Sequence, residues 1–279
     1  MNNGIYPSLW FDNQAKEAAT FYCSIFKNSK ITSDNPVVTK FELEGQSMMG
    51  LNGGPMYKIN PSISLFVTCQ SNEEIESIYQ KLITGGSAMM PLDKYPWSDK
   101  YGWVVDKFGM TWQLMIGNMP KPGAKIIPSL LFVGEQCGNA RKAMEHYVSI
   151  FQDSKIETMD LYKEGETQPA GNLKFGQFAL GNAQFAAMDG TGDHNFKFSE
   201  GVSLVVECET QQEIDRYWGK LTEGGMESQC GWLKDKFGVS WQIVPSILGS
   251  LMSDPKRANN VVAAFMKMKK FDIEKLLQA

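Results

Sequence analysis

Apolar and polar positions alternate along IYPSLWF (5–11), the period of a strand with one buried face, and the turn pair Asp12-Asn13 ends it. Over 14–26 the period lengthens. Ala15, Ala18, Ala19, Tyr22, Ile25 and Phe26 fall three and four apart and make one apolar helix face. Strands are predicted next at about 37–44 and 46–52, joined at Glu44-Gly45-Gln46, where Gly45 can take the positive φ of a tight turn. The order then restarts. Residues 63–69 read as a strand and 71–82 as a helix, with Ser71 as N-cap, Glu74 three residues on and Gly85-Gly86 closing it. Short strands follow at about 87–90, 101–105 and 111–116. Asp106-Lys107-Phe108-Gly109 joins the last two as a hairpin turn.

The same order is written twice. Residues 5–31 return as 126–156, 62–86 as 201–225 and 101–115 as 230–244. Three blocks in one order mean a duplicated domain. The expected domains are 1–117 and 126–250, separated by a Gly/Pro-containing linker at 118–125. A C-terminal helix is expected within 251–279, with Val262, Phe265, Met266, Phe271, Ile273, Leu276 and Leu277 on its apolar side. Strands and helices in this order are α+β architecture.

Composition narrows the functional classes. A chain of 279 residues with 43% hydrophobic and 21% charged residues can bury two cores. The net charge of -4 and the lack of a long Lys/Arg run argue against a nucleic-acid partner. No apolar stretch approaches the roughly 20 residues that span a bilayer, so no membrane partner is expected. The N-terminus lacks a basic segment followed by an apolar one, and the five cysteines show no CxxC or zinc-ribbon spacing. Both points suit a reducing, cytoplasmic location. Cys69 and Cys208 read as small buried hydrophobes. The expected partner is a small organic ligand. The chain is expected to be a monomer with an internal pseudo-dimer, or a homodimer.

Certain strings carry a family resemblance: LWFD at 9–12, LNGGP at 51–55, FKF at 196–198, QCGWLKDKFGVSWQIVP at 229–245 and AFMKMKKFDIEKL at 264–276. With four βαβββ units, the chain resembles the PhnB-like family, the so-called 3-demethylubiquinone-9 3-methyltransferase domain. That family lies within the vicinal-oxygen-chelate (glyoxalase/bleomycin-resistance) superfamily. The resemblance implies two tandem glyoxalase-like domains, each with two βαβββ units forming one cupped mixed sheet. The superfamily hosts isomerases, lyases, dioxygenases, fosfomycin-modifying enzymes and drug binders, so the fold does not choose the activity. The residues speak against methyl transfer by a Rossmann-like domain, because DNQAK rather than a Gly-rich loop follows the first strand.

The resemblance also implies positions for metal ligands. They fall near Tyr6, Met49, Ser62 and Gln113 in the first half, and near Ile127, Ala186, Gly201 and Gln242 in the second. None is a His or a carboxylate, and the two histidines, His146 and His194, lie in a helix and a loop. No metal or cofactor is therefore expected. Gln113 and Gln242 occupy matching strings, and an amide can both donate to and accept from an organic ligand. Strand alternation puts Tyr6, Ser8 and Trp10 on one face and turns Trp112 and Trp241 toward the core. Residues 89–100 have no counterpart in the second half and read as a loop bearing Tyr95 and Trp97, a lid together with Tyr101. The candidate ligand-binding set is Tyr6, Ser8, Trp10, Met49, Ser62, Trp97, Tyr101, Gln113 and Gln242, with the better pocket in the first half. No nucleophile–base pair is apparent, and catalytic residues are left unassigned. Glu42, Glu44 and Glu207 would serve as bases only if buried, and Cys230 is a reactivity candidate. The expected function is binding of a small organic molecule in a metal-free cup. The alternatives are a metal-dependent lyase, isomerase or dioxygenase, and a drug-sequestering resistance protein.

Overall fold

The computed structural model describes residues 4–117 and 125–279, so nearly all of the expected linker lies outside the described residues. Unit one is β1 (Ile5–Phe11), α1 (Ala15–Ile25), β2 (Ser29–Asp34), β3 (Val38–Leu43) and β4 (Gln46–Asn52). Unit two is β5 (Ile63–Cys69), α2 (Asn72–Ile83), β6 (Ser87–Tyr95), β7 (Ser98–Val105) and β8 (Thr111–Ile116). Unit three is β9 (Ile126–Phe132), α3 (Ala140–Ile150), β10 (Lys155–Leu161), β11 (Leu173–Leu180) and β12 (Ala183–Asp189). Unit four is β13 (Val202–Cys208), α4 (Gln211–Thr222), β14 (Met226–Glu227), β15 (Trp232–Lys234) and β16 (Ser240–Pro245).

Local chemistry explains the boundaries. Ser71 caps α2 by accepting the Glu74 N–H, and Thr210 with Glu213 forms a full capping box on α4. Gly45 and Gly109 take positive φ in their hairpin turns. The C-terminal segment is helical, but it is broken into α5 (Leu248–Ser253), α6 (Ala258–Phe265) and α7 (Ile273–Gln278). Pro255 follows the first break, where it cannot continue a helix. β2 and β10 escape the hydrophobic pattern because most of their side chains are exposed or only partly buried. The insertion at 89–100 is not a loop: it extends the hairpin of β6 and β7, with Tyr95 paired to Ser98 across the tip.

The α+β class and the cupped mixed sheets are present, but the partnership of units differs from the expectation. One eight-stranded sheet runs β14-β15-β16-β13-β1-β4-β3-β2 and the other runs β10-β11-β12-β9-β5-β8-β7-β6. The first cup therefore combines units one and four, and the second combines units two and three. Neither sequence half closes a cup by itself, so neither half owns a pocket. The join is made by first strands: β1 pairs antiparallel with β13 (Ser8 opposite Ser203), and β5 with β9 (Ser64 opposite Ser129). A unit's first strand offers an open edge that any sister unit can complete, so alternation alone cannot select the partner.

Within each half the units meet through the core instead. Trp112 of unit two stacks on Phe26 of unit one at 5.4 Å, and Trp241 of unit four stacks on Phe151 of unit three at 5.6 Å. Both tryptophans are fully buried, as strand alternation predicts. Helix-facing residues of both sheets belong to one continuous apolar core, while each opposite face carries its own small cluster. The helical layer thus lies between the sheets, and the two cups open away from it.

Candidate functional site

The second cup has a floor of Ser64, Phe66, Ile127, Ser129, Gln113 and Ala186. Registers set Phe66 opposite both Ile127 and Gln113. Gln113 donates its amide to Ser64 Oγ at 2.6 Å, and its carbonyl oxygen accepts the Tyr101 hydroxyl at 2.8 Å. Burial, and secondarily the neighbouring Tyr95, push the Tyr101 pKa well up, so the phenol keeps its proton and acts as a donor. Phe175 packs on Phe66 at 5.5 Å, and Met90, Tyr95, Trp103 and Met115 complete an apolar wall. At the hairpin tip Trp97 stacks on Tyr95 at 5.1 Å and meets the edge of Tyr101 at 5.9 Å, while remaining 59% exposed. Among the described residues, the buried Trp103 Nε1 and Ser129 Oγ have no hydrogen-bond partner. Buried polar groups are nearly always paired, so these two are unsatisfied capacity in an otherwise apolar cup.

The first cup repeats the floor with different surroundings. Gln242 donates to Ser203 Oγ at 2.9 Å, and Ser8 lies opposite Ser203. Tyr6, Met49 and Val205 form its apolar centre. At one end the Tyr6 hydroxyl and the Lys40 ammonium both donate to Glu207 Oε1, at 2.5 Å and 2.7 Å. Burial and the Glu207 charge hold the Tyr6 phenol protonated. At the other end Trp10 meets Tyr57 at 4.9 Å and Trp232 at 5.9 Å, and Lys234 pairs with Glu200 at 3.0 Å. Trp10 donates to Gly54 O at 2.7 Å and lies so close over Gly53 that a Cβ there would fall 2.1 Å from the indole.

The predicted residues thus divide between two sites. Tyr6, Ser8, Trp10, Met49 and Gln242 line the first cup. Tyr101 and Gln113 line the second, Trp97 stands at its rim, and Ser62 precedes the first residue of β5. Val205 and Phe66, rather than Gly201 and Ser62, stand opposite Tyr6 and Ile127. Lys40, Trp232, Phe66 and Phe175 were missed. The alternation of Val38, Lys40 and Glu42 along β3 was the available signal for Lys40. Of the carboxylates, Glu207 lies in the first cup, whereas Glu44 sits in a turn and pairs with Lys125. Cys230 turns away toward the C-terminal segment, with Sγ 3.7 Å from Met266 Sδ.

A divalent ion in such a cup needs three or four His or carboxylate donors. The second cup offers only amide, hydroxyl and indole groups at its centre, and the first offers Glu207 at one end. Among the described residues no group of three or more His, Cys, Asp or Glu stands together. His146 lies against Lys236 at 3.3 Å, and His194 meets the Thr191 carbonyl at 3.2 Å. The donor set therefore does not fit a metal. No helix among the described residues is long and apolar enough to cross a membrane.

Comparison with known proteins places the chain. The family model described as 3-demethylubiquinone-9 3-methyltransferase matches residues 3–115 and 124–244. A PhnB protein from Bacillus cereus is 36% identical over 40% of this chain and 98% of its own, with a TM-score of 0.38. A Staphylococcus aureus protein is 30% identical over 42% of this chain and 99% of its own, with a TM-score of 0.20. Glyoxalase I from Zea mays is 9% identical, covers 88% of this chain and 92% of its own, and has a TM-score of 0.57, a likeness of fold alone. No curated protein matches the chain. The chain belongs to the 3-demethylubiquinone-9 3-methyltransferase (PhnB-like) family, and it carries that family's domain twice.

Proposed function

We propose that the protein binds a small, flat organic molecule in the second cup, without a metal. The observation that carries this reading is the unpaired Trp103 Nε1 beside the Tyr101–Gln113–Ser64 chain, within a wall of Phe66, Phe175, Tyr95 and Met115. An aromatic ligand with a carbonyl or hydroxyl oxygen would stack on the wall and accept the indole N–H. Apolar walls with few placed polar groups suit such molecules. Trp97, exposed at the hairpin tip, would close over the ligand.

The test is native mass spectrometry of protein prepared without chelator or affinity metal, followed by a screen of aromatic carbonyl compounds read by tryptophan fluorescence. Saturable binding of a compound to bare chain, weakened in Trp97→Ala and Trp103→Phe, is the expected result. One divalent ion per chain, lost in Gln113→Ala, would overturn the metal-free reading.

A further inference from the structure

The two cups share a floor and differ around it. Strand registers and the repeat place Ile127 where Tyr6 stands, Gln177 where Lys40 stands, Thr68 where Glu207 stands and Tyr101 where Cys230 stands. The first three exchanges leave the second cup without the charge and hydroxyl of the first, and the fourth leaves the first cup without the phenol that meets the floor glutamine of the second. With no tyrosine at position 230, no side chain among the described residues donates to the carbonyl oxygen of Gln242, a residue only 5% exposed.

Lys40 reaches from β3 across β4 and β1 to Glu207 on β13, with its ammonium 5.6 Å from the centre of the Tyr6 ring. It forms a strap over the cup floor. The pair is partly open to solvent, 41% for the Lys40 side chain and 31% for Glu207. Such a pair is weak, and a lysine stem swings easily. The nearby Glu42 is paired with Lys30 and Glu200 with Lys234, so the cup is charge-balanced. A ligand with net charge would upset that balance. A ligand with one charge of each sign would replace one ion pair by two.

We propose that the first cup is a second, chemically distinct site that takes a small zwitterion bearing a carboxylate and an ammonium group. Its carboxylate meets Lys40, its ammonium meets Glu207, and a hydrogen-bond donor reaches the Gln242 carbonyl oxygen. Trp10 and Trp232 flank any side chain that it carries. This deepens the reading of the fold as a ligand-binding cup but concerns the other cup, so the two can fail separately.

The test is isothermal titration of the full chain with the proteinogenic amino acids and short ω-amino acids. Saturable binding of at least one is expected. Its N-acetyl derivative and its methyl ester should each bind about ten-fold more weakly or worse, since each lacks one charge. Lys40→Met and Glu207→Gln should weaken binding by about the same factor, and Trp97→Ala should leave it unchanged. The derivative series uses only the native chain, so it stands even if a variant misfolds. No saturable binding at millimolar concentration, or derivatives that bind as well as the parent, would overturn the proposal.

Discussion

Replacing Tyr101 by Phe removes one oxygen from the second cup, and the cost can be worked from the structure. The hydroxyl donates to Gln113 Oε1 at 2.8 Å, and Tyr101 and Gln113 are 6% and 2% exposed. Water cannot easily take the lost donor's place, so a buried amide oxygen is left without a partner. That costs about 1–3 kcal/mol. In a chain of this size each kcal/mol lowers Tm by about 2–4 °C. Gln113→Leu should cost a similar amount, because it strands both the Tyr101 hydroxyl and Ser64 Oγ. The double variant Tyr101→Phe/Gln113→Leu should cost less than the sum, since neither half of the bond remains to be stranded. The assay is urea unfolding of the four proteins, followed by tryptophan emission and circular dichroism. Equal stability of Tyr101→Phe and native chain, or strictly additive costs, would show that the phenol–amide bond is not made and would remove the donor chain from the proposed site.

Three other outcomes follow from the same geometry. Asp235 is buried and accepts from Phe237 N, Val239 N, Trp241 Nε1 and the Tyr147 hydroxyl, yet burial outweighs these bonds and raises its pKa. A raised folded pKa gives stability that is full below the unfolded value of about 3.9 and is lost as pH rises through the folded one, so the advantage of native chain over Asp235→Asn should shrink from about pH 4 upward. Urea midpoints of both proteins across that range check the sign, and a growing advantage would contradict it. Cutting the chain between Gly117 and Lys125 should leave the fragments associated in size exclusion, because both cups are hydrogen-bonded across halves; separation without denaturant would refute the sheet order. Gly53→Ala should cost about 1–3 kcal/mol by forcing Trp10 off its seat, visible as a shift in tryptophan emission; an unchanged spectrum and midpoint would mean that Trp10 does not lie over Gly53.

Much of the fold was legible because its signals are local. The alternation of β1, the helical period of α1 and the Asp106–Gly109 turn need no knowledge of distant residues. The repeat supplied the number of units. Partner choice was not legible: β1 meets β13, 201 residues from Tyr6 to Glu207, and nothing in either strand names the other. The same gap hid half of the site. Tyr6 and Trp10 could be placed on a cup face by parity, but Lys40 and Trp232 join them only once units one and four share a sheet. The segment 89–100 reads as a loop because it has no counterpart in the second half, and Pro91 and Pro96 leave no strand alternation to correct that reading. β-bulges accommodate such irregularity, and the pairing of β6 with β7 shifts register three times.

The two cups also separate framework from specificity. Ser8, Ser203 and Gln242 recur as Ser129, Ser64 and Gln113, and in each cup the glutamine donates to the serine on the first strand of its own unit, which faces a serine of the sister unit. A feature kept in both cups, despite different walls, belongs to the join between units. Tyr6, Lys40 and Glu207 occur only in the first cup and belong to its chemistry. The triple variant Tyr6→Ile/Lys40→Gln/Glu207→Thr imports the second cup's residues at all three positions. It removes every partner of the Lys40–Glu207–Tyr6 cluster together, so no charge or hydroxyl is stranded, and its urea midpoint should stay near the native value. Ser203→Val strands the Gln242 amide at the buried floor and should cost about 1–3 kcal/mol. A triple variant as unstable as Ser203→Val would mean that the Lys40 strap holds the sheet together, and the first cup would then be a braced structural face rather than a binding site.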